Sequence, residues 1–272
     1  MNKLNPSFKE LFSLRNTAAS EIVDRFADVT RQQFDYANGI PVVMGSYDGK
    51  DLPLLLVALG RSSIPLAPVI VDNKPGQGGI REHAEAMGAK VIDEEIPGQM
   101  SAVSTGIEYA ATAHPDSYVI VTDDDCLPMA RWAETMVRHA RLNRELGGIA
   151  YGGVILEHGQ SQLTDLLRTA YGLATNVRRK ITHSSPKARG PNGILLPDKH
   201  GRILEELRMK APDAFPCDVS VQESVVAAGG EVKSILNPHA FTFTRGDRFS
   251  SVGSLAKDLM QRGKNRAKLY ED

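Results

Sequence analysis

Cysteine is scarce: Cys126 and Cys217 are the two in 272 residues, and they lie far apart without a C-x-x-C spacing. That argues against a disulfide-stapled scaffold or a zinc–cysteine framework and reads as ordinary thiols of a reducing, cytoplasmic compartment. Long apolar runs are also missing. The longest, at 52–59, is broken by Pro53, and a bilayer-spanning helix needs about 20 apolar residues. The opening MNKLNPSFKELFSLR mixes charge with apolarity in place of a basic region followed by an apolar run, so no secretory signal is expected. Neither sign of charge dominates, with 32 Lys plus Arg against 33 Asp plus Glu. A globally basic nucleic-acid coat is thereby excluded, and only local patches need considering. Internal repeats and low-complexity segments are absent as well. What remains is 42% apolar and 24% charged residues, a composition that builds a buried core, at a length suited to one α/β domain with appendages.

Residues 8–37 place Phe8, Leu11, Phe12, Ile22, Val23, Phe26, Val29 and Phe34 at helical spacing, which predicts two amphipathic helices. Two readings fit them, a dimerisation arm and a helical hairpin packed on the core. From Ile40 the pattern alternates. Short apolar runs at 40–44, 67–71, 91–92 and 118–121 predict strands, and 52–59, 79–88 and 101–113 predict the intervening helices. Such alternation argues for βαβ units and a mainly parallel sheet. The second half is less regular, with strands expected at 149–156, 194–196 and 233–236, helices at 162–171 and 221–228, and a basic loop at 178–189. The expected organisation is a helical extension over 1–38, a main domain over 39–240 whose halves divide near residue 145, and a basic tail over 241–272.

In parallel sheets, ligands collect at the carboxyl ends of the strands. That places Tyr47 and Asp48, Asp72 and Asn73, and the triplet Asp123, Asp124 and Asp125 on one rim. The triplet, in VIVTDDDCLP, is the sharpest local feature. Three adjacent carboxylates repel one another, so solvent, cationic side chains or a metal must offset them. A hard divalent cation with oxygen ligands does so and also neutralises a diphosphate. The alternative is a solvated acidic turn that caps a helix at or near Asp125. An EF-hand starting at Asp123 fails, because Leu127 and Pro128 stand where an oxygen ligand and a glycine are required. The stretch Gly76-Gln77-Gly78-Gly79-Ile80-Arg81 starts like a dinucleotide fingerprint, but its sixth position is Arg and it does not come directly off the strand.

The order of these segments resembles a family-two glycosyltransferase with the GT-A fold. PVVMGSYDGKDLPLLLVAL is similar to that family's first strand and loop, and APVIVDNKPGQGG to the strand that ends in acidic residues before a Gly/Ser turn. PGQMSAVSTGIEYA resembles the helix that often carries an Arg-Asn pair, VIVTDDDCLP the DxD strand, GPNGILL the Gly-x-Asn segment, and CDVSVQESVVAAGGEV the closing acidic motif and its helix. The likeness runs from about residue 40 to 240, and the tail also fits. It implies an α/β GT-A fold with a mainly parallel sheet flanked by helices, and a metal-dependent transfer of sugar from a nucleotide-diphosphate sugar, a UDP-sugar above all, with inversion.

By the same resemblance, Ser46, Tyr47 and Asp48 line the nucleotide pocket and Asp72 accepts from the uracil ring. Asp123 touches ribose or metal, Asp124 adds to the donor site, and Asp125 holds Mn²⁺ or Mg²⁺ on the diphosphate. Asp218 stands at the general base, and His239 near a position that contributes a metal ligand. Cys217 occupies the place of the Glu before the base, Val103 and Ser104 replace the Arg-Asn pair, and Ser224 replaces an Arg. The phosphate contacts therefore fall to Arg245, Arg248, Arg262 and Lys264. Asp218 also suits a helix cap, His239 an edge histidine, and Asn192 a turn.

Two rivals share these requirements. A nucleotidyltransferase wants a basic Gly-rich loop after the first strand, which Gly45-Ser46-Tyr47-Asp48 is not; a non-catalytic nucleotide-sugar binding protein would tolerate the departures at Val103, Ser104 and Cys217. The acceptor is open between a glycan, a small molecule and a modified nucleic acid. The tail's Arg245, Arg248, Lys257, Arg262, Lys264, Arg266 and Lys268 suit either a lid over the donor or, with Arg178, Arg179, Lys180, Lys187 and Arg189, a grip on a polyanion. Phe249 is the one aromatic residue between Arg245 and Lys268, too little to build a row of base-stacking rings, which favours the lid.

Overall fold

The apolar runs assemble into one sheet in the computed structural model, which describes residues 6–76, 79–142, 149–152, 193–197, 200–210, 217–230, 232–235, 238–240 and 242–243. In chain order the strands are β1 (Ile40–Ser46), β2 (Leu66–Asp72), β3 (Lys90–Asp93), β4 (Val119–Val121), β5 (Leu127–Pro128), β6 (Ile149–Gly152), β7 (Gly193–Leu195), β8 (Val232–Ile235) and β9 (Thr242–Phe243). The helices are α1 (Phe8–Ser13), α2 (Ala19–Arg31), α3 (Leu52–Gly60), α4 (Ile80–Ala86), α5 (Gln99–Ala113), α6 (Trp132–Leu142), α7 (His200–Arg208) and α8 (Cys217–Ala227). The expected helix at 162–171 and basic loop at 178–189 lie outside the described residues.

The main sheet runs β3-β2-β1-β4-β7-β6-β8. β1 is parallel to β2 and to β4, and β2 is parallel to β3. β7 then runs antiparallel to both β4 and β6, and β8 parallel to β6. Every residue of β2 is buried, as expected where helices cover both faces of a parallel sheet. A second, two-stranded sheet joins β5 to β9, with Leu127 opposite Phe243 and Pro128 opposite Thr242. At two residues each, these strands are too short to leave an alternation in the sequence.

One layer holds α1 to α4 and α6 around Leu11, Ile22, Phe26, Met44, Leu55, Ile70 and Trp132. The N-terminal helices thus pack on the core. α1 is started by a capping box, with the Ser7 side chain accepting from the Glu10 N–H and the Glu10 carboxylate accepting from the Ser7 N–H. α3 is buried from Leu52 to Leu59, because α2 and α4 close it off from solvent on the side away from the sheet. Pro53 does not break this run. It sits in the first turn of α3, where its missing N–H would have no intrahelical partner. Each buried leucine there contributes roughly 2 kcal/mol.

The opposite layer is formed by α5, α7 and α8, through Met100, Val103, Ile107, Ile203, Leu207, Val221 and Val225. α5 reaches the sheet closely because residue 106 is glycine. A Cβ there would lie 2.3 Å from Val43 Cγ1 and 2.9 Å from Val71 Cγ2. No helix among the described residues is long and apolar enough to cross a membrane.

Candidate active site

The chain builds β1, β2 and β3 outward in one direction, then crosses back so that β4 lies on the other side of β1. The carboxyl ends of β1 and β4 therefore flank a topological switch point, where open α/β sheets form their crevice. Ser46 ends β1, and Asp72, opposite it in register, ends β2. The triplet follows β4 after the single residue Thr122. The backbone holds these ends together: Thr122 N–H donates to the Val43 carbonyl at 3.0 Å, and Asn73 N–H to the Ser46 carbonyl at 3.0 Å.

The acidic triplet forms a turn, and the next helix, α6, begins only at Trp132. Asp125 is thus not a helix cap. The three carboxylates have separate surroundings. Asp123 Oδ1 accepts from Gln99 Nε2 at 2.9 Å, at the head of α5. Asp124 Oδ2 accepts from the Ser46 hydroxyl at 2.6 Å. The Cys126 thiol lies 3.9 Å from Asp125 Oδ1. Burial pushes the Asp124 carboxyl up to about 6; the Ser46 hydroxyl pulls it down, and the charges of Asp125, Asp48 and Asp51 push it further up. These carboxylates therefore form a concentration of negative potential on one rim, which a cation would relieve.

Ligand atoms of Asp123, Asp125 and Cys126 all lie within 4.8 Å of one another. Two carboxylate oxygens at that spacing, both on half-buried residues, fit a hard divalent cation such as Mn²⁺ or Mg²⁺. The Cys126 sulfur is the softer donor and suits such an ion less well. Its proximity to this group is not legible from a lone, unspaced cysteine. His239 is not in the group. It is exposed in a short 3-10 turn at Pro238–Ala240, just before β9. β9 pairs with β5, so the segment after His239 is tied to the residues that follow Cys126.

Tyr47, Asp48 and Asp72, at the ends of β1 and β2, lie on the same side of the sheet. Tyr47 is 60% exposed, and the Lys74 ammonium lies 4.9 Å from its ring centroid, a cation–π distance. Asp48 Oδ1 accepts from the Lys50 N–H at 3.0 Å, closing the loop after β1. Asp72 is buried, and its Oδ1 accepts from the Lys74 N–H at 3.0 Å. Asn73 joins this loop to the entry of α5: its Oδ1 accepts from the Gly98 N–H at 2.9 Å and its Nδ2 donates to the Ile96 carbonyl at 3.0 Å. Gln99 is the residue missed from the sequence. The family likeness draws attention to Val103 and Ser104, whereas the polar contact to the triplet is made one turn earlier.

Asp218 lies inside the first turn of α8, not ahead of it as a cap at Val219 would require; its side chain, and Arg245, Arg248, Arg262, Lys264 and Asn192, lie outside the described residues. Ser224, where the family has an Arg, is fully buried in α8.

No protein-family model and no curated protein sequence matches the chain. Solved structures do. The chain is similar to residues 1–349 of S. aureus TarS in complex with UDP, with a TM-score of 0.50 and 13% identity over 76% of this chain and 60% of that one. A complex of the same TarS piece with UDP-GlcNAc gives a TM-score of 0.48 and 13% identity over 76% and 58% of the two chains. A 4-diphosphocytidyl-2C-methyl-D-erythritol synthase gives 0.47 and 14% over 80% and 99%. The chain thus spans about three-fifths of the TarS piece it matches. The fold is the mixed α/β GT-A type, with a mostly parallel central sheet flanked by helices, and the likeness to GT-A glycosyltransferases holds at the level of fold.

Proposed function

We propose that the protein is a metal-dependent glycosyltransferase that moves a sugar from a nucleotide-diphosphate sugar, a UDP-sugar in the first place, to an acceptor hydroxyl with inversion at the anomeric carbon. The observation that carries this reading is the convergence of the Asp123 and Asp125 carboxylates at the switch-point crevice, where a nucleotide enters such sheets. The presence of UDP and UDP-GlcNAc in the TarS structures accords with it.

In this reading Asp123 and Asp125 hold Mn²⁺ or Mg²⁺, which when bound supplies Lewis-acid stabilisation of the leaving diphosphate. Tyr47, Asp48 and Asp72 line the nucleotide. Asp218 takes the proton of the acceptor hydroxyl as that oxygen attacks, because a neutral hydroxyl is a poor nucleophile until its proton is removed in the transition state. Positive charge for the diphosphate comes from Arg245, Arg248, Arg262 and Lys264. In support of this, β9 ends two residues before Arg245 and is paired with β5 beside the acidic turn. Closure of this tail would exclude water during transfer.

The test is incubation of the full chain with a panel of nucleotide sugars, with and without Mn²⁺, while free nucleoside diphosphate is measured. Release from a UDP-sugar that requires the cation is the expected result. Failure of every donor to turn over, with pyrophosphate released from a nucleoside triphosphate instead, would replace this reading by a nucleotidyltransferase.

A further inference from the structure

The three carboxylates of the triplet do not point to one place. Asp123 and Asp125 contribute oxygens to the same small volume, whereas Asp124 is turned onto the end of β1 and accepts the Ser46 hydroxyl at 2.6 Å. Ser46 is 2% exposed, and its main chain is fixed on both sides, within β1 by its register with Asp72 and through its carbonyl by the Asn73 N–H. The bond joins residues 78 apart in sequence and spans the crevice between the ends of β1 and β4. A short bond from a buried hydroxyl to a carboxylate is among the stronger and more directional kinds. A carboxylate held this way is poorly placed to reach a ribose or a diphosphate.

We propose that the Ser46–Asp124 hydrogen bond is a strut that sets the spacing of Asp123 and Asp125 for the divalent cation, so that Asp124 is a positioning residue and not a ligand of cation or donor. The proposal rests on the reading of the acidic turn as a cation site. The strut ties the turn after β4 to the buried end of β1 through a side chain, and two like charges 4.8 Å apart or less repel each other, so a turn anchored in this way resists their separation. Partners that orient a metal ligand commonly change affinity by about 10- to 100-fold when removed.

The experiment is a titration of the full chain with Mn²⁺ alone, following free Mn²⁺ by electron paramagnetic resonance, with thermal melting of each variant as a check on folding. Ser46→Ala and Asp124→Ala should each weaken binding by about 10-fold, and the double variant should be no weaker than the worse single, because both remove the same bond. Asp124→Asn and Ser46→Thr keep the acceptor oxygen and the hydroxyl, and should bind close to the unmodified chain; they carry the test if an alanine variant does not fold. Additive losses, or Asp124→Asn as weak as Asp124→Ala, would make Asp124 a ligand and overturn the strut. Asp125→Asn separates the two ideas. If it abolishes Mn²⁺ binding while Ser46→Ala leaves binding unchanged, the strut alone is wrong; if the unmodified chain binds no Mn²⁺, the cation site and the strut fall together.

Discussion

Gln99 donates its side-chain N–H to Asp123 Oδ1 at 2.9 Å, joining the first residue of α5 to the acidic turn after β4. A neutral amide fixes the direction of the carboxylate without cancelling the charge a cation requires. Gln99→Ala should weaken Mn²⁺-dependent UDP binding by about 10-fold, and Gln99→Glu should weaken it more, since like charges then face each other. Calorimetry with UDP in the presence of Mn²⁺ measures both; equal affinity in all three proteins would show that Asp123 needs no support from α5.

Cation removal should matter to the donor site as much as any side chain does. UDP should bind tightly with Mn²⁺ and weakly after chelation with EDTA, and Asp125→Asn should erase most of that difference. The paired titrations give a direct reading. Identical UDP affinity with and without the cation would refute the assignment of Asp123 and Asp125.

Asp218, in the first turn of α8, is the proposed base. Asp218→Asn should lower turnover by about 100-fold or more while leaving UDP affinity near normal, because a base acts on the transition state and not on donor binding. Steady-state kinetics beside calorimetry separates the two quantities. Normal turnover in the variant would leave Asp218 with a role in starting the helix only.

Gly106 decides how closely α5 approaches the sheet. Alanine is the better helix former by about 1 kcal/mol, yet its Cβ would lie 2.3 Å from Val43 Cγ1 and 2.9 Å from Val71 Cγ2. Overpacking of a closed core costs about 1 to 3 kcal/mol, so the clash wins. Gly106→Ala should destabilise the protein in urea unfolding, and because α5 carries Gln99 at its head, it should also lower Mn²⁺-dependent UDP affinity. A stabilised variant would mean that α5 slides away from Val43 without cost.

Much of the first half is legible in the residues themselves. Strands at 40–46, 66–72 and 119–121 are built on apolar runs, since strands buried on both faces need no alternation, whereas β3, at the sheet edge, has only Val91 and Ile92 between the exposed Lys90 and Asp93. α6 and α7 add two helices beyond those expected, and both carry a signal: Trp132, Ala133, Met136, Val137 and Ala140, and Ile203 with Leu207, fall on one helical face. β5 and β9 carry none, because a two-residue strand has no period.

The amino-acid sequence by itself determined the local elements and the chemistry available: apolar runs of strand or helix length, an acidic triplet at the end of a buried strand, and a basic tail. Those depend on neighbours within a few residues. The tertiary structure alone decided which distant partner each carboxylate meets. Asp123, Asp124 and Asp125 are chemically identical in the sequence; Asp125 meets its chain neighbour Cys126, but Asp123 and Asp124 acquire Gln99 and Ser46 only because the sheet reverses its order at β1 and brings β4 and α5 to the same rim. Contacts between residues 24 and 78 positions apart are set by strand order and helix packing, and no local pattern encodes them.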